Sequence, residues 1–469
     1  MIFESYYLEC LSQASYLIAD EKTKRAAIID PQRDIDMYLK DLEAHDLELT
    51  YIFETHIHAD FLSGHLELAK KTGAKIVFGA DANGRLEFDS LFAKDGELFS
   101  LNDSGVQIGI IETPGHTPES ITIAIFEIPP ANFGPNSYDS PELIFTGDTL
   151  FIGDVGRPDL LGSVGLAPED MAKQLYSSLR NKIFTLPEKA IIYPAHGAGS
   201  ACGKSLSSER SSTLGEQRKT NYALAPMTEK DFVAMIAEGQ PLTPQYFSHS
   251  VAMNKSAHQL LDENESISLL SLEKALRERE KGAIIVDVRS PTDFSLGHIK
   301  GSVNIGLDGR FAETAGQILS PEANIILAGE HELNIEARMR LARIGYDNTL
   351  GEIENFYDAM ESNQDIVVAS RRIDIQEFKD SNFSGDKKIQ IVDVRTSKEI
   401  EDGTLTSAIH IPLARLHERY SELDSKQPVI VFCAGGWRSS VASSYLLSKG
   451  FADVSDVVGG YSALKLVTN

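Results

Sequence analysis

Residues 49–60 read LTYIFETHIHAD, and this stretch decides how the first half of the chain folds. A mostly apolar run ends abruptly in Thr55, His56, Ile57, His58, Ala59 and Asp60. Similar runs recur at 25–31 (RAAIIDP), 74–80 (AKIVFGA), 106–116 (VQIGIIETPGH), 121–128 (ITIAIFEI), 142–148 (ELIFTGD) and 189–197 (KAIIYPAHG). Several are continuous rather than alternating, as expected of strands buried on both faces. Helical stretches at 33–45, 60–72 and 168–181 lie between them. The last opens with Pro168, Glu169 and Asp170, a helix start signal. Strands alternating with helices predict an α/β fold.

The polar residues follow the apolar runs in a fixed order. After Thr55–Asp60 come Thr113-Pro114-Gly115-His116, then Thr146-Gly147-Asp148, then Tyr193-Pro194-Ala195-His196. Strand ends converging on one sheet edge are where α/β proteins build sites. Imidazole and carboxylate groups gathered there suit Zn, Fe or Mn. One such histidine is ordinary; four such elements in sequence predict a metal site.

These elements resemble the metallo-β-lactamase superfamily over about residues 1–240, which implies an αββα sandwich. Members with two metals carry H-x-H-x-D-H, whereas here Phe61 follows Asp60. A phenyl ring cannot coordinate a cation, so the pattern favours one metal ion. Within the superfamily the phrase THIHADFLSGH is most similar to persulfide dioxygenases, relatives of the glyoxalase II thioesterases. That resemblance implies one Fe(II), with Zn as a substitute, held by His56, His116 and Asp148. Two histidines and one carboxylate leave open positions for substrate and O₂. His58, Asp60 and His196 are then outer groups, or ligands of a second metal. Arg157 resembles a residue of the loop after the Asp ligand. It either grips a substrate carboxylate or pairs with a nearby Asp. Tyr193 resembles the family's substrate-side tyrosine. The run Arg218–Tyr222 is similar to the segment with which thioesterase relatives hold glutathione. Cys202, in a Gly-rich loop expected to be accessible, is either a sulfur carrier or an ordinary loop cysteine. Cys10 reads as a buried hydrophobe.

The second half contains a long internal repeat. IIVDVRSPTDFSLGHIKGSVNIGL (284–307) matches QIVDVRTSKEIEDGTLTSAIHIPL (390–413), with Asp287-Val288-Arg289 falling on Asp393-Val394-Arg395. Two copies of one α/β domain follow. In the second copy a buried strand runs into Cys433-Ala434-Gly435-Gly436-Trp437-Arg438, and a helix follows at 440–449. This puts Cys433 at a helix N-terminus among backbone N–H groups, a cradle that favours a thiolate or persulfide. Arg438 adds a positive charge. The Cys-x₄-Arg spacing, the DVR element and Val457–Tyr461 resemble a rhodanese, which implies sulfur transfer through Cys433. In the first copy Leu327 or Ala328 falls on the cysteine position, so that copy reads as catalytically silent.

The expected organisation is a dioxygenase domain at 1–245, a linker at 246–265, a silent rhodanese-like domain at 266–366 and an active one at 367–469. The whole order resembles bacterial persulfide dioxygenase–sulfurtransferase fusions of sulfide detoxification. The implied partners are a low-molecular-weight thiol persulfide such as that of glutathione, O₂, sulfite and thiosulfate. A dimer or tetramer is expected. The rival reading is a glyoxalase II-like Zn thioester hydrolase.

Composition narrows the classes. Of 469 residues, 42% are hydrophobic and 24% charged, ordinary for a globular protein. A net charge of −25 argues against nucleic acid and acidic membranes, which need clustered Lys and Arg. No apolar run reaches the length of a membrane helix. The first residues lack a basic segment, so a cytoplasmic setting is the expectation. Three scattered cysteines are no disulfide framework.

Overall fold

The computed structural model describes all residues except 135–136, 139–140, 161–164, 166, 241, 384–388 and 469. The chain divides into two compact units, 1–243 with 247–263, and 244–246 with 264–469.

In the first unit the apolar runs become two six-stranded sheets. One takes Ile2–Leu8, Gln13–Ala19, Arg25–Ile29, Glu48–Phe53, Lys75–Gly79 and Leu91–Ala93 in chain order. The other places Leu143–Gly147 between Ile121–Phe126 and Ile191–Pro194. Their facing sides share one core, in which Ile18, Ile29, Phe53 and Val77 meet Ile108, Ile123 and Phe145. The outer face of the first sheet is covered by the helices Asp36–Ala44 and His65–Thr72. That of the second is covered by Pro168–Asn181 and Glu229–Ala237. Helices outside and sheets inside make the expected αββα sandwich. Strands buried on both faces explain why their sequences run apolar without alternation.

The segment 246–265, expected to be a linker, is a correction. Tyr246–Lys255 is a helix, and 247–263 belong to the first unit. Phe247, Ser250 and Asn254 fall on one helical face and are buried. Two of those three are polar, so the amphipathic signal is weak. Beyond the helix, Leu261 N–H donates to Glu67 (3.1 Å) and Asp36 N–H to Glu263 (3.0 Å). Cys10, expected in a buried strand position, lies half-buried in the turn after Leu8.

In the second unit each repeat is a five-stranded parallel sheet. The orders correspond strand for strand. Leu269–Leu270, Thr349–Ile353, Ile325–Ala328, Ile284–Asp287 and Val303–Asn304 form the first. Arg371–Ile373, Val454–Val457, Val429–Phe432, Gln390–Asp393 and Ile409–His410 form the second. Among the described residues no helix is long and apolar enough to cross a membrane.

Candidate metal centre and sulfur-carrying loop

His56, His116 and Asp148 each follow a strand, and the fold brings them together with one donor atom apiece within 4.8 Å. All three are buried. His116 Nε2 lies 3.3 Å from Asp148 Oδ2, and His56 Nε2 lies 3.9 Å from the same oxygen. None of these three atoms has a hydrogen-bond partner. Their other sides are all held. Thr55 Oγ1 donates to Asp30 Oδ2 (2.8 Å), so it accepts from His56 Nδ1 (3.0 Å). His116 Nδ1 donates to the Arg157 carbonyl (2.8 Å), and His196 Nδ1 to Asp148 Oδ1 (2.8 Å). The His56 and His116 rings therefore each turn an Nε2 lone pair inward. Gly156 makes the approach possible, since a Cβ there would meet Asp148 O at 2.0 Å and His116 Nδ1 at 2.9 Å.

The electrostatics agree with a cation site. Burial, helped by neighbouring histidines, drives His56 far below the ordinary imidazole range, and burial lowers His116 too. Burial opposes the charge on Asp148, but His196, His116 and His56 hold its carboxyl well below the usual range. Two neutral imidazoles and one carboxylate, buried and unpaired, are costly without a partner. A divalent metal ion is the partner that this donor set fits.

The outer residues divide. His58 turns away, with Nε2 3.1 Å from Asp30 Oδ1 and 3.3 Å from Glu54 Oε2. Burial would lower it, yet the two carboxylates push it up to about 10. His58, Asp30 and Glu54 form a further group of converging buried donors. Phe61 packs on the His58 ring at 4.3 Å between centroids. Asp30 and Glu54 escaped the sequence reading. Each directly follows an apolar strand run, which was the available signal. His196 Nε2 lies 2.7 Å from Asp60 Oδ2, and Cys202 joins these two as another group of converging donors.

Cys202 departs from expectation, and Arg157 takes the ion-pair alternative. Cys202 was expected to be accessible but is buried, and burial with Asp60 and Asp148 nearby pushes its thiol well up. The loop is Gly-rich yet tethered, for Arg157 N–H donates to Cys202 O at 3.0 Å. Arg157 does not offer a substrate grip. Its guanidinium is buried and engaged by Asp159 (2.7 and 2.8 Å), Ala201 O (3.2 Å) and Thr243 Oγ1 (3.1 Å). Tyr193 sits at the edge of the inter-sheet core, against Phe3, Tyr16 and Phe145. The Arg218–Tyr222 run is likewise engaged internally, Arg218 with Phe184 O (2.6 Å) and Tyr222 with Asp154 (2.5 Å).

In the second unit the buried strand Val429–Phe432 delivers Cys433, and the helix Trp437–Ser448 starts three residues earlier than predicted. Gly436 caps that helix at φ +98°, a conformation natural to glycine, and its N–H donates to Cys433 Sγ (3.1 Å). The Val457–Tyr461 phrase lies against this loop. Tyr461 N–H donates to Cys433 O (2.6 Å), and a Cβ on Gly460 would meet that oxygen at 2.3 Å. Arg438 is held by both oxygens of Glu399 (2.8 and 2.6 Å). In the first repeat the strand register corrects the alignment. Asp287 pairs with Ala328 as Asp393 pairs with Phe432. Gly329, and not Leu327 or Ala328, therefore occupies the cysteine position.

Family comparisons agree with both halves. The Metallo-beta-lactamase superfamily matches residues 8–127, and the Rhodanese-like domain matches 271–363 and 375–466. A Beta-lactamase hydrolase-like protein of Agrobacterium fabrum is 30% identical over 51% of this chain, and the match spans only 56% of that relative. A mitochondrial persulfide dioxygenase of Bos taurus is 30% identical over 51% of this chain and 82% of its own length. A crystal structure titled a metallo-beta-lactamase, from Staphylococcus aureus, superposes with a TM-score of 0.65 at 34% identity, covering 75% of this chain and 98% of that one. The chain thus belongs to the metallo-β-lactamase superfamily, with two tandem rhodanese-like domains following that fold.

Proposed function

We propose that this protein oxidises the persulfide of a small thiol with O₂ at a single iron and carries sulfane sulfur on Cys433. The observation behind the metal is the convergence of three buried, unpartnered donors on His56, His116 and Asp148. Phe61, standing where a second metal would need a histidine, favours one ion. Bound there, Fe(II) would supply the redox chemistry that O₂ requires.

The chain's own residues do the rest. Thr55 and the Arg157 carbonyl fix the ring tautomers of His56 and His116. His196 holds one oxygen of Asp148 and leaves the other free. The net reaction is RSS⁻ + O₂ + H₂O → RSH + SO₃²⁻ + H⁺. At Cys433 a persulfide then hands its outer sulfur to sulfite, Cys–S–S⁻ + SO₃²⁻ → Cys–S⁻ + S₂O₃²⁻. The Gly436 N–H and the helix N-terminus favour the anionic sulfur in that step. One covalent chain raises the effective concentration of the shared sulfur species. We place this chemistry in the cytoplasm, where cysteines outside disulfides stay reduced.

A second reading, a Zn thioester hydrolase, draws on Asp60, His196 and Cys202 as a further donor group. One assay separates the two. Fe(II)-loaded protein given glutathione or coenzyme A persulfide should consume O₂ and release sulfite or thiosulfate, and His116→Ala should abolish the uptake. Iron-loaded protein that consumes no O₂ with any persulfide would leave the hydrolase.

A further inference from the structure

Residues 54–63, which carry His56, His58 and Asp60, lie outside any strand or helix. Buried backbone groups in such a stretch need partners from elsewhere. Side chains supply several. Asp30 accepts from Thr55 N–H (2.7 Å), and Glu119 from Ile57 N–H (3.1 Å). The far end of the stretch depends on Asn254. Its Oδ1 accepts from Ser63 N–H (2.9 Å), and its Nδ2 donates to His58 O (2.9 Å) and Phe61 O (2.8 Å). Asn254 is 1% exposed, and its amide group spends its oxygen and its nitrogen on this one loop. It comes from the helix Tyr246–Lys255, far along the chain from the residues it holds.

We propose that Asn254 is a positioning residue for the metal centre. Between the two carbonyls that it holds stands Asp60, whose carboxylate lies against His196. His196 in turn holds Asp148. The same clamp keeps the His58 ring on Asp30 and Glu54, with Phe61 packed over it. Asn254 therefore sets the loop from which both His58 and the Asp60–His196–Asp148 chain depend. No other side chain of similar size offers two donors and an acceptor in this plane. Aspartate keeps the acceptor but turns an oxygen toward two carbonyl oxygens.

This inference rests on the metal reading above, and the test keeps the two apart. Full-length protein is titrated with Co(II), whose visible absorption reports ligand geometry. The unchanged chain should bind Co(II) with a resolved spectrum, and His116→Ala should lose it. Asn254→Ala should bind Co(II) roughly 10-fold more weakly, with altered bands, as for other groups that orient metal ligands. Asn254→Asp should be no better. If the alanine chain does not fold, Asn254→Ser takes its place with the same expectation. Affinity and spectrum unchanged in the substituted chain, whatever happens to its melting temperature, overturn the positioning role. No Co(II) binding by the unchanged chain sinks the metal reading and this inference with it.

Discussion

The two rhodanese-like repeats lay the same five parallel strands in the same order, but they end the central strand differently. In the second repeat Cys433–Gly436 forms a loop before the helix at Trp437. In the first, Gly329 and Glu330 alone separate Ala328 from the helix at His331. The first repeat thus lacks the cysteine and also the loop residues that would cradle it. What both keep is the buried Asp–Arg pair beneath the loop. Arg289 meets Asp287 at 2.6 Å and Arg395 meets Asp393 at 2.7 Å. The difference teaches that the scaffold and the cysteine loop are separable. The pair belongs to the scaffold, and the loop carries the proposed chemistry. The first repeat packs on the second, where Trp437 Nε1 donates to Asp308 (2.9 Å) and Ser440 to Asn304 (3.2 Å).

The largest expected effect breaks the comparison at the sulfur. Cys433→Ser should take thiosulfate-dependent sulfur transfer down by orders of magnitude, to background, while O₂ uptake with small persulfides persists. Gly329→Cys should restore nothing, because no cradle surrounds that position. It should also destabilise, since Gly329 sits at φ +152° with Val288 Cγ2 2.8 Å from an added Cβ. If Cys433→Ser stopped persulfide oxidation as well, the division of labour between the two chemistries would be wrong.

The next effect is on stability. Asp287 and Asp393 are fully buried, so deleting either arginine strands a carboxylate. Such losses cost about 3–5 kcal/mol. Asp393 has a second friend in Thr404 Oγ1 (2.7 Å), where His298 stands in the first repeat. Arg289→Ala should therefore destabilise more than Arg395→Ala. The only tryptophan of the chain, Trp437, lies in this unit and reports its denaturant unfolding by fluorescence. A larger loss for Arg395→Ala would mean that Thr404 does not compensate for the arginine.

Much of this was legible in the sequence because it follows from chain-local rules. Continuous apolar runs gave the strands, and the Asp287/Asp393 offset gave the repeat. His56, His116 and Asp148 were readable because each stands just past a strand. The misses concern what side chains meet across space. Arg157 left two readings open, and only its contacts in space select the ion pair with Asp159. Cys202 sits among glycines, which suggested exposure, but backbone bonds pin its loop inside. Asn254 had no local signal at all, because its partners, His58, Phe61 and Ser63, lie in another part of the chain. The two-residue shortening before His331 needed the strand register, since glycine and alanine are weak markers of alignment.

The smallest effect sharpens the comparison through pH. Glu399 closes a capping box with Thr396 and holds Arg438. Burial opposes its charge, but Arg438 and the Thr396 backbone push its carboxyl down to about 2. The first repeat caps the equivalent helix with Ser290 and Asp293, which hold each other (2.6 Å). A carboxyl lowered on folding stabilises the folded state above its ordinary range and loses that contribution as pH falls through the lowered value. Glu399→Gln should thus cost stability at pH 7, by about 1 kcal/mol or less because the pair is part-exposed. The gap from the unchanged chain should close between about pH 4.5 and about pH 2. Asp293→Asn in the first repeat should cost less stability at pH 7. A gap for Glu399→Gln that stays constant down to pH 2 would mean that the glutamate acts by shape in the capping box and not by its charge on Arg438.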